Sequence, residues 1–209
     1  MARNDQPYSW MFPLILFALL TQTSICSLKA SDEPTPGLLL GGSFERPPVS
    51  RFLPGSKKTL LFPATIDQAN RFHPLTTPGT LFSGDWDHYL KQTQERSSLL
   101  LATLNPAMIR DSHGVIQMAV ISTDDPLTAS CILLPGFLKH FSAIFGPEVI
   151  IAIPARNKIY IFPKLANQLQ AMAGTIRDDY LISPQPLSTE LFELSKKGIR
   201  TIGDIDPTE

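Results

Sequence analysis

The run Val149–Pro163, VIIAIPARNKIYIFP, sets two apolar stretches on either side of the polar break PARN. Val149–Ile153 and Lys158–Phe162 are rich in β-branched and aromatic residues, which favour strands. The break Pro154–Asn157 suits a four-residue hairpin connection. The first strand is almost continuously apolar, so it is expected at the centre of a sheet, covered on both faces. In the second, Ile159 and Ile161 face one way and Tyr160 and Phe162 the other.

Outward from this hairpin, the pattern predicts an α+β domain. KLANQLQAMAGTIRDDYL (164–181) carries Leu165, Leu169, Met172, Ala173, Ile176 and Tyr180 at helical spacing, a core stripe. The tail LFELSKKGIRTIGD reads as two short strands around Lys196–Gly198. Upstream, Leu127–Phe145 reads as a buried helix that Pro135 kinks or restarts. GVIQMAVIST (114–123) is a strand after the turn RDSHG, and Asp85–Asn105 is a helix. TLLFPATI (59–66) is a strand with an edge or bulge at Pro63.

The expected architecture is one domain over 59–209, a mixed or antiparallel sheet packed by about three helices. Its core is expected at Leu61, Trp86, Leu100, Val120, Leu133, Phe141, Ile151, Ile153, Ile159, Ile161, Leu169 and Ile176. Residues 31–58 read as a linker and extended loop, opening with SDEPTP. Residues 1–30 read as a signal peptide, with an uncleaved anchor as the alternative. The apolar core Trp10–Leu20 has the length of a signal h-region and is short for a bilayer span. Small residues offer cleavage points after Cys26 or Ala30. If the signal is cut after Ala30, Cys131 is the only remaining cysteine, and an internal disulfide is excluded.

The chain has 209 residues, 43% hydrophobic and 18% charged, with a net charge of −1. That balance, without a dense Lys/Arg run, argues against nucleic-acid binding. Catalytic motifs are absent: there is no GxSxG, GxxxxGK[ST], GxGxxG, HExxH or paired CxxC. No cofactor is expected. Asp111, Ser112 and His113 stand side by side but read as a polar turn, and Gly41–Gly42 is too short for a reading. Asp85 and His88 lie three apart on a helix, a spacing that allows a shared metal, although cap acids and a surface His explain them as well. Cys131 reads as a small buried hydrophobe, with a nucleophile as the minority role. Arg156, with Asn157 beside it, is the candidate ligand or partner contact. A guanidinium at a hairpin tip can hold a carboxylate or phosphate bidentately. It can equally tie down a neighbouring loop or point into solvent.

From Asp124 to Asp204 the chain resembles the bacterial proteins grouped as the domain of unknown function 1444 family. The shared run is an acidic turn, the helix TASCILLPGFLKHF, an Ala-Val/Ile-Pro hairpin, a helix and PLSTELFELSKKG. The family's hairpin often reads Pro, any residue, Arg, Asp; here it is Pro154, Ala155, Arg156, Asn157. The resemblance implies an α+β domain and no particular activity. The functional expectation is an exported, non-catalytic binding or interaction domain, periplasmic or secreted, for a protein or a small anionic ligand. The alternatives are a hydrolase-like or metal-dependent enzyme using Asp85, His88 or Cys131, and a structural protein tethered by a retained N-terminal segment.

Overall fold

A computed structural model describes residues 35–67, 69–75, 86–165 and 167–205. These residues form an α+β domain with two antiparallel sheets. The smaller sheet contains β1 (Thr35–Gly42), β2 (Arg51–Phe52), β3 (Thr59–Ile66) and β4 (Phe72–Pro74). The larger contains β5 (Ala107–Arg110), β6 (Ile116–Ser122), β7 (Val149–Ala155), β8 (Lys158–Pro163), β9 (Glu190–Ser195) and β10 (Gly198–Asp204). Its strand order is β10-β9-β7-β8-β6-β5. The helices are α1 (Trp86–Thr103), α2 (Pro135–Phe145) and α3 (Gln168–Ile182).

The hairpin lies where its apolar runs demand, with β7 between β8 and β9. One face of this sheet carries Ile151, Ile153, Ile159, Ile161 and Phe192. It packs against Phe137, Phe141 and Phe145 of α2 and against Leu38, Leu40 and Leu61 of the small sheet. The other face carries Ala152, Tyr160 and Phe162 under Ile176 of α3. The alternation expected in β8 is therefore present, with both of its faces buried.

Several boundaries differ from expectation for physical reasons. The segment read as linker contributes β1, whose Leu38, Leu39 and Leu40 are almost wholly buried. It pairs with β3 in antiparallel register, Leu40 opposite Leu61, so the domain includes residues before 59. Pro63 lies inside β3, but β2 pairs at Leu60–Leu61 and β4 at Ala64–Ile66. The Pro63 carbonyl accepts the Leu75 N–H at 3.1 Å. A residue's N–H and C=O point to the same side of a strand, so the donor that proline lacks falls in the gap between β2 and β4. The β7–β8 connection is the two-residue turn Arg156–Asn157, since Ala155 pairs with Lys158. Pro154 sits within the register shift that precedes it.

Pro135 restarts the chain: a 3-10 turn over Ala129–Leu133 precedes it, and it stands at the first position of α2. Leu165, expected in the core, precedes α3 and is 93% exposed, whereas Ile176 is fully buried. The short strands β2, β4 and β5 were not anticipated.

Candidate functional site

The turn Arg156–Asn157 is not open to solvent. Arg156 is 2% exposed. Its Nε donates to the Leu40 carbonyl at 3.0 Å, and its Nη2 pairs with Glu45. Its guanidinium also lies over the Phe72 ring, 4.0 Å from the centroid. The other Glu45 oxygen accepts the Gly42 N–H at 2.9 Å. The backbone is equally committed, with Arg156 N–H bonded to Gln185 O at 3.2 Å and Arg156 O accepting Ala129 N–H at 2.8 Å. Asn157 is half-buried, and its carbonyl accepts the Thr123 N–H at 3.0 Å. The contact expected at an exposed tip is thus replaced by an internal one: Arg156 ties the end of β7 to the small sheet.

Gly41 permits this approach. A Cβ there would stand 2.6 Å from both Glu45 and Phe62, and 2.7 Å from the Arg156 Nη2. The Gly41–Gly42 pair is the signal in the sequence that marks the site.

A second buried charge was missed altogether. Glu190, 4% exposed, accepts N–H bonds from Lys57 at 2.7 Å and Lys58 at 3.1 Å. Its other oxygen accepts hydroxyl bonds from Ser56 at 2.5 Å and Thr59 at 2.7 Å. One carboxylate therefore holds the β2–β3 turn against the large sheet.

The residues of the enzyme reading fall differently. Asp85 lies outside the described residues. His88 falls within α1. Asp111 builds the β5–β6 turn, its Oδ1 accepting N–H bonds from His113 and Val115, both at 2.9 Å, and Ser112 and His113 are exposed. Among the described residues, no group of three or more His, Cys, Asp and Glu is placed to hold a metal ion.

Cys131 is fully buried, its Sγ 3.8 Å from the Ser97 carbonyl. Burial, with a smaller push from Asp125, lifts the thiol to about 12. At pH 8 the folded protein therefore presents almost no thiolate, the reactive form. Iodoacetamide should label Cys131 at least about a hundredfold more slowly in the folded than in the urea-unfolded chain, as peptide mass spectrometry would register. Equal rates would contradict the buried placement.

A large concavity lies elsewhere. It lies between the start of α2 and the β9–β10 turn and encloses about 850 Å³. Its walls include Leu133, Leu134, Leu138, Leu194 and Ile199. Lys139 and Lys196, both exposed, stand at its rim. An apolar cleft of this size with few polar groups has the character of a small-molecule site. None of the described helices is long and apolar enough to cross a membrane.

No family model, no curated protein and no solved structure matches the chain.

Proposed function

We propose that the chain is an exported, non-catalytic binding domain whose binding surface is the groove between α2 and the β9–β10 turn. The groove itself carries the reading: apolar walls suited to a hydrocarbon body, and Lys139 and Lys196 at the rim suited to an acidic head. The ligand class is an apolar molecule bearing one carboxylate or similar acid. Export is supported by the leader-like run Trp10–Leu20 and the small residues up to Ala30.

Two measurements test this. Calorimetric titration with decanoate should show saturable binding. The double variant Lys139→Glu/Lys196→Glu should weaken it roughly tenfold while leaving decanol binding unchanged, because only the acid meets the reversed charges. No binding of either probe removes the groove reading. The mass of the chain isolated from its own host tests export: a start near Ser27 or Ser31 supports it, and the full-length mass rejects cleavage.

A further inference from the structure

We infer that a polar cleft, separate from the groove, is a binding site for a phosphate group, most simply that of a small phosphomonoester. The cleft encloses about 350 Å³ and lies where the end of β1, the start of β3 and the approach to β9 meet. Two cations line it, Arg46 and Lys58, together with Ser43, Ser188 and Thr189. Phe44, 53% exposed, forms an apolar wall.

The donors are unequally committed. Lys58 pairs with Asp204 at 2.9 Å and lies 3.4 Å from the Thr189 hydroxyl. Ser188, 2% exposed, accepts the Glu190 N–H at 3.1 Å on its hydroxyl oxygen, which leaves its own proton to donate. Arg46 has no hydrogen bond or ion pair with the described residues. The nearby carboxylates of Glu45 and Glu190 are already engaged by Arg156 and by the β2–β3 turn. With Asp204 set against Lys58, Arg46 leaves a positive charge uncompensated among the described residues.

The backbone adds a second observation. Arg46 is left-handed, with φ 45° and ψ 49°. That conformation is unfavourable for a residue with a Cβ, and the following Pro47 restricts it further. Glycine would fit the turn without strain. Sparsely populated conformations gather at functional sites, and here one belongs to the arginine that lines the cleft together with Ser43, Ser188 and Thr189. Guanidinium, ammonium and hydroxyl together suit the several acceptor oxygens of a phosphate better than the two of a carboxylate.

The test exploits that strain. Arg46→Gly removes the charge and relaxes the turn, so the variant should fold at least as well as the parent. Thermal unfolding would be followed at constant ionic strength with inorganic phosphate, phenyl phosphate or chloride. Phosphate should raise the parent's Tm saturably, by about 2–4 °C at a few times Kd, and Arg46→Gly should abolish the rise. A larger rise with phenyl phosphate assigns the site to an ester packed on Phe44; equal rises assign it to the free ion. No rise beyond chloride, or a rise retained in Arg46→Gly, overturns the proposal.

Discussion

Replacing Arg156 by alanine is expected to lower the unfolding free energy by about 3 kcal/mol, near the lower end of the range for breaking a buried ion pair. The variant leaves Leu40 O without its donor and strips Glu45 of its counter-charge. It also opens a void beside Phe62 and Phe72. Glu45 keeps some solvent, its side chain being 18% exposed, and this holds the loss below the upper end. Arg156→Lys should lose less, because the charge remains while the forked geometry goes. Gly41→Ala should destabilise by the opposite route, forcing apart groups that now touch the glycine. Urea unfolding at unchanged m gives these differences directly. A loss under about 1 kcal/mol for Arg156→Ala would mean that the guanidinium is not the tie between the sheets.

Glu190→Ala is expected to cost as much or more, about 3–5 kcal/mol. Four donors converge on that carboxylate, two of them backbone N–H groups of the β2–β3 turn. Thr59 is itself fully buried, so its orphaned hydroxyl gains no water. Glu190→Gln separates charge from shape. One amide oxygen can still accept the two N–H bonds, while the hydroxyls of Ser56 and Thr59 must reorient, and the cost should fall to about 1–2 kcal/mol. Equal losses for alanine and glutamine would show that the negative charge matters more than the bonding geometry. If neither variant shifts the urea midpoint, the carboxylate does not hold the turn.

The elements read correctly from the sequence are those whose pattern is local. The β7–β8 hairpin, the tail strands and the restart at Pro135 follow from period, turn chemistry and proline sterics within about fifteen residues. β1 did not follow, because GLLLGG carries no alternation and stands among prolines. Its identity depends on pairing with β3, some twenty residues on. The burial of Arg156 and Glu190 was further out of reach, since the hydrogen-bond partners of their side-chain charges lie 111 to 134 residues away. One local signal existed for Glu190. By the period of two, it shares a face with Phe192 and Leu194, an acid placed on the core side of a strand. A buried acid needs donors, and that position alone called for them. Arg46 had no comparable signal, because nothing local marks a left-handed arginine before a proline.

The two clasps have a consequence for a chain that emerges N-terminus first. β1 and β3 are synthesised early, with Leu38–Leu40 and Leu60–Phe62 ready to collapse. The charges that fix the small sheet arrive only at residues 156 and 190. Through most of its synthesis the nascent chain therefore presents a leucine-rich hairpin with no lock, the kind of surface that holdase chaperones capture. Completion comes late and from the far end: the last strands close the first.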